Sequence, residues 1–226
     1  MNTPPKIAER LAAVIIPRVA GKRAPDFIVG ADSDGGPYLL RWYLTPWRRL
    51  QGRLRNRAER WPTRTRRALA YVVGLLPNVY LHCFQRDDDD RALHDHPSWA
   101  ASYILRGGYI EHTIAAGGIH HRTTYAPGTL RTMGTRHAHR IELHKPRVGA
   151  VFFAGLRMIF GIRDPNANPH TGRFNLNHVE CWTLFLFGPT VRDWGFHCPN
   201  RGWVHWREFT AAGEGRRGEI GKGCDA

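Results

Sequence analysis

From Val79 to Phe209 the apolar residues come in short runs separated by turn residues, and that spacing limits what the chain can fold into. Nine stretches read as strands: 79–85, 100–105, 109–114, 120–125, 129–133, 139–143, 150–157, 181–187 and 204–209. Many short strands punctuated by Gly and Pro predict an antiparallel sandwich or barrel. Ahead of them, 4–20 predicts an amphipathic helix with Ile7, Leu11, Val14 and Ile15 on one face. Residues 21–38 are loop-like, and 39–75 predict one or two basic helices interrupted at Pro62. The expected organisation is a basic helical extension over 1–75, a β-barrel over 76–210 and a disordered tail over 211–226, where Gly and charge dominate.

No stretch of the 226 residues approaches the roughly 20 apolar positions needed to span a bilayer. The apolar run 11–16 is short and broken by Pro17, which is not the pattern of a signal peptide. The expectation is a cytoplasmic protein with no membrane partner. Cys83, Cys181, Cys198 and Cys224 lack CxxC spacing, so most are expected to be reduced. The formal charge of +14 suggests an anionic partner. Between Arg41 and Arg67 stand ten Arg and one acid, Glu59, interleaved with Trp42, Trp47 and Trp61. Two readings stay open: a solvated basic helix, or a contact to nucleic acid or phosphate in which Arg53, Arg55, Arg57 and Arg60 bind the anion.

The most informative motif is His94-Asp95-His96-Pro97. On an extended strand residues i and i+2 share a face, so His94 and His96 can grip one ion. His139 opens a strand-like run after the Pro127-Gly128 turn and Gly134, and is the best third ligand, with His137 as its rival. Three neutral imidazoles leave one to three positions open on a metal. His82, Glu111 and Arg106 are candidates for supporting residues around such a centre. For His82 a core histidine bonded to backbone is the competing reading, and for Glu111 and Arg106 a strand-to-strand salt bridge. Asp95 is expected to turn away from the metal, toward backbone or an Arg. The run Asp87 to Asp90 reads as an acidic turn facing solvent or the arginine helix, and the segment Trp194 to Pro199 as an aromatic plug or lid.

The order of these features, HxH, Gly107-Gly108, Pro127-Gly128 and then a His, resembles the cupin superfamily. That resemblance implies a double-stranded β-helix, or jelly-roll, barrel over roughly residues 79–190, following N-terminal helices. The acid that cupins place four residues after the second His falls on Ala100, so the fourth ligand is missing. A three-His site of this kind resembles the cysteine dioxygenase branch, as do His94-Asp95-His96 with Ser98, Gly108, Glu111 and Thr113, and His139-Arg140-Ile141-Glu142. That branch's Ser-x-His-x-Tyr strand is replaced by Thr183, Phe185 and Phe187, and its cysteine position falls near Ala101. The resemblance therefore implies the metal frame without cysteine oxidation, and a more apolar pocket. The whole chain is also similar to bacterial and phage cupin-like proteins sharing ALHDHP, LRGGY, HRIEL and WGFHCP segments, a resemblance that brings no activity with it.

The function these features imply is that of a metal-binding cupin, expected to be a non-haem Fe(II)-type oxygenase acting on a small molecule, with an anionic substrate left open. One divalent ion is expected, Fe(II) favoured over Zn, Mn or Ni. The alternative is a cupin that binds nucleic acid or a phosphate ligand, with a structural or Lewis-acid metal. Substrate, catalytic residues and oligomeric state are not legible in the sequence.

Overall fold

A computed structural model describes residues 5–30, 36–56, 63–88, 92–161, 175, 177–210 and 223–224. The elements run α1 (Pro5–Val19), β1 (Phe27–Val29), β2 (Leu39–Tyr43), α2 (Trp47–Asn56), α3 (Thr63–Gly74), β3 (Asn78–Phe84), β4 (Leu93–His94), β5 (Ala100–Arg106), β6 (Tyr109–Ile114), β7 (His120–Tyr125), β8 (Leu130–Met133), β9 (Arg140–Leu143), α4 (Val148–Ile159), β10 (Cys181–Phe187), β11 (Gly195–Cys198), β12 (Gly202–His205) and α5 (Trp206–Thr210). The protein is mainly β, and every strand pairing is antiparallel.

One sheet has the order β1-β2-β3-β10-β5-β8. Two three-stranded sheets, β12-β11-β4 and β7-β6-β9, are joined by a single bridge between His94 and His139. The β7-β6-β9 sheet faces the first, while β12-β11-β4 packs around a core cluster of its own. The core between the layers takes Leu39, Phe84, Ile104 and Cys181 from the first sheet and Tyr109, Ile141 and Leu143 from the second. The first sheet's outer face carries Leu40, Trp42, Leu81, Cys83, Leu105 and Trp182, covered by α1. Leu81 and Leu105 are fully buried there, and each contributes about 2 kcal/mol relative to exposure. Two facing antiparallel sheets fit the jelly-roll expectation, and this follows from the alternation of apolar residues along β3, β5 and β10.

Gly107 and Gly108 make the turn between β5 and β6. Both have positive φ, 81° and 152°. A Cβ on Gly107 would lie 2.2 Å from the Glu180 carbonyl oxygen, and one on Gly108 would lie 2.6 Å from that of Tyr125. Only glycine fits this turn.

Several expectations are corrected. Strand β1 lies in the stretch 21–38 expected to be a loop and β2 at the start of the stretch 39–75 expected to be helical, because Leu39, Leu40 and Trp42 complete the sheet beside β3 and β1 pairs onto them. The stretch 150–157 belongs to helix α4, not a strand; a continuous apolar run does not distinguish the two by periodicity. The buried face of α1 is Ala8, Ala12 and Ile16, continued by Ala20 just beyond the helix, whereas Ile7, Leu11 and Val14 are exposed. Small alanines let the helix lie close to the large Trp42 and Trp182 rings. The expectation of reduced cysteines fails for Cys198 and Cys224, which form a disulfide, while Cys83 and Cys181 are free and buried. The predicted tail, 211–226, lies mostly outside the described residues.

Candidate metal centre

The bridge that joins the two three-stranded sheets also brings two histidines together. His94 N–H donates to the His139 carbonyl at 2.9 Å, and His139 N–H returns the bond to His94 at 3.0 Å. In such a reciprocal antiparallel pair the two side chains project to the same face. Their ring centroids are 4.8 Å apart. His96 lies beyond β4 rather than on it, so strand alternation does not place its ring. It is held by its neighbours: Val191 N–H donates to the Pro97 carbonyl at 2.9 Å, and Ser98 Oγ donates to the Pro189 carbonyl at 2.8 Å. The result sets His96 Nε2 2.9 Å from His139 Nε2. His94, His96 and His139 each offer a ligand atom within 4.8 Å of the others, a group that could hold a metal ion.

The surroundings fit that use. His139 Nδ1 donates to Glu111 Oε1 at 2.5 Å, which leaves Nε2 as the lone-pair nitrogen facing His96. Asp88 Oδ2 lies 3.1 Å from His94 Nδ1 and favours the same tautomer there. Burial lowers the pKa of His96 well below the usual value, and the other histidines add to the effect. Burial also lowers His139, to about 4, against the opposing bond from Glu111. Both rings are therefore neutral near pH 7, as ligands must be. For Glu111, burial raises the pKa, but the His137 and His139 contacts and the Arg131 charge outweigh it and hold the carboxyl at about 2.

Glu111 is the hub. Arg131 Nη2 on β8 donates to Glu111 Oε2 at 2.5 Å, a buried ion pair that ties the first sheet to the second. His137 Nε2 sits 2.6 Å from Arg131 Nη2 and 3.1 Å from Glu111 Oε1. Glu111, His137 and His139 form a second group of suitable ligand atoms, sharing His139 with the first. Asp95 is buried and turned away from the three rings. Its carboxylate accepts from Gly195 N–H at 2.9 Å, Arg192 Nη1 at 2.8 Å and Trp203 Nε1 at 3.1 Å. It thus fastens the HxH segment to β11 and β12, which Phe196 and Val204 anchor in their own core cluster.

The remaining candidates are placed elsewhere. His82 is buried in the first sheet, stacked on Phe185 with centroids 4.7 Å apart, and its Nε2 accepts from Arg41 Nε at 2.8 Å. It is bonded to a side chain, not to backbone. Arg106 lies over the Trp182 ring, 5.5 Å from its centroid, and does not meet Glu111. In the basic segment Arg49 pairs with Asp26 and Arg53 is exposed on α2. The side chain of Arg55, and Arg57 and Arg60 altogether, lie outside the described residues. Asp88 was legible only as part of the acidic run, which was expected to face solvent or the arginine helix; instead Asp88 is buried beside His94 and Asp87 accepts from Leu143 N–H at 2.7 Å. Arg131 carried no sequence signal beyond a charge at an inward-facing strand position.

No protein-family model matches the chain, and no curated protein matches it either. Among solved structures it is similar to a Pseudomonas putida prolyl-4-hydroxylase, with TM-score 0.39, 13% identity, and 84% of this chain and 89% of that one covered. It is also similar to an oxalate oxidase in complex with the substrate analogue glycolate, with TM-score 0.33, 9% identity, and 60% of this chain and 49% of that one covered. A third is a Klebsiella pneumoniae protein with a double-stranded β-helix domain, with TM-score 0.30, 12% identity, and 53% and 73% covered. The chain spans about half the length of the oxalate oxidase and a quarter (25%) of a Bacillus subtilis oxalate decarboxylase. Likeness at this level says nothing about chemistry.

Proposed function

We propose that this protein is a metal-dependent cupin that holds one divalent ion between His94, His96 and His139 and acts as a non-haem Fe(II)-type oxygenase on a small molecule. The observation that carries the reading is the pair of facing Nε2 atoms, 2.9 Å apart, with Glu111 fixing the proton of His139 on the far nitrogen. Two neutral imidazoles directed at one point, one buried and one half-buried, are poorly used unless they share an ion or a proton. A divalent metal would supply Lewis acidity there and, as iron, a redox centre.

The chain's own residues do the rest. Glu111 orients His139 and raises its basicity as a ligand. Asp88 sets a carboxylate oxygen 3.1 Å from His94 Nδ1. Asp95 keeps the HxH segment in register with β11, so His96 reaches the centre without strand pairing of its own. Ala100, where a carboxylate ligand would stand in a four-ligand cupin, is buried and apolar, which favours open coordination positions over a closed site.

Metal analysis of protein purified without chelator, in air and under anaerobic conditions, tests this. The expected result is one divalent ion per chain, iron in the anaerobic preparation. Stoichiometric zinc, manganese or nickel in both would favour a Lewis-acid role instead, and protein free of metal in both would overturn the reading.

A further inference from the structure

Among the described residues, helix α4 adds nothing to the core. None of the four core clusters takes a residue from it, and its only buried residue is Ala154. Val148 is 87% exposed, Phe152 and Phe153 62%, Met158 74% and Ile159 76%, with Phe160 at 71% just beyond. Large apolar side chains so concentrated and so exposed mark a surface that something covers.

We propose that α4 is a docking helix for an anionic lipid surface, immersed at the headgroup boundary rather than spanning it. Three observations select that occupant. At 100° per residue, Val148, Phe152, Phe153, Met158 and Ile159 spread over about 220° of the helix circumference. A groove on a protein partner would take a narrow stripe, whereas a helix lying in the headgroup boundary buries a broad apolar face. Charge is the second. From Arg147 to Arg163 the sequence has three basic residues, Arg147, Arg157 and Arg163, and no Asp or Glu, in a chain of net charge +14, while Lys145 just before them pairs with Asp87 at 3.0 Å. That pattern complements anionic headgroups, and it opposes a second copy of the chain, which would bring like charges together at the contact. Length is the third: twelve residues rise about 18 Å, too short to cross a bilayer. Among the described residues no helix is long and apolar enough to do so. The sequence expectation of no membrane partner rested on the lack of an apolar stretch long enough to span a bilayer, a length that a helix lying at the headgroup boundary does not need. This proposal is independent of the metal centre.

Sedimentation of the full chain with phosphatidylcholine vesicles, with and without about 30% phosphatidylserine, tests it. The chain should co-sediment with the phosphatidylserine vesicles and release as salt rises, because headgroup attraction is screened. The double substitution Phe152→Ser and Phe160→Ser should weaken binding at least about tenfold, and Arg147→Gln with Arg157→Gln by a similar factor on anionic vesicles only. All four side chains lie outside the core clusters, and metal content and thermal midpoint measured in parallel should stay at the parent value. Absence of binding to either vesicle, or binding unchanged by the Phe substitutions, would overturn the proposal. So would a concentration-dependent dimer in sedimentation velocity that the Phe substitutions abolish, which would assign α4 to self-association.

Discussion

At the scale of single residues, the centre depends on which nitrogen of each histidine carries the proton. Glu111 decides this for His139. Glu111→Gln keeps an acceptor at that position but removes the charge. Metal affinity should fall about 10–100-fold, while the circular dichroism spectrum stays unchanged. Calorimetric titration with the metal that the purified chain carries would measure this, and an unchanged affinity would remove Glu111 from the site. His137 gives a sharper test, since it belongs only to the group formed with Glu111 and His139. His137→Ala should leave stoichiometric uptake intact, and His96→Ala should abolish most of it. The reverse result would move the ion into the Glu111, His137 and His139 group.

At the scale of elements, the centre is built where β4 bridges to His139, just ahead of β9, and β4 is only two residues long. It is held by β11 on one side, Asp95 beneath and the reciprocal His94–His139 bonds on the other. Behind β11 the disulfide from Cys198 to Cys224 closes a loop of 26 residues' separation. A crosslink of that span contributes about 3 kcal/mol through the unfolded chain. Cys224→Ser should lower stability to denaturant by about that amount, with the larger loss at the β11–β12 end. Thiol titration of the denatured, unreduced protein should find two thiols, those of Cys83 and Cys181; four would contradict the disulfide.

For the whole molecule, the histidines whose pKa is lowered in the fold set an acid limit on the metal-free protein. His139, held at about 4, and His82 and His96, held well below 6.5, are neutral when folded but titrate near 6.5 when unfolded. Between those values the unfolded chain binds more protons, so stability falls as pH drops from about 6.5 toward 4. Glu111, at about 2 in the fold against 4.5 ordinarily, adds a loss that begins only below about 4.5. The thermal midpoint of apoprotein should therefore decline between pH 7 and pH 5, before carboxylates contribute. A midpoint flat across that range would mean these rings are not held neutral.

What the sequence determined by itself was whatever depends on local pattern. Alternating apolar residues in short runs specified strands at β3, β5, β6 and β10, because side chains alternate faces with period two. Gly107-Gly108 announced the β5–β6 turn, because only glycine tolerates that backbone and that closeness. His94, His96 and His139 stood out through their spacing and the strand after the third. The tertiary structure decided what pattern could not. It made 148–159 a helix, since a continuous apolar run carries no period to read. It drew β1 and β2 into the sheet through Leu39, Leu40 and Trp42, whose partners are some forty residues away. It gave Glu111 its three partners, on β8, in the 134–139 loop and at the head of β9, where no sequence separation could have shown them. And it turned Asp88 inward against His94, because Asp88 N–H donates to the Ile141 carbonyl of β9 at 2.9 Å while the His94–His139 bridge brings His94 alongside.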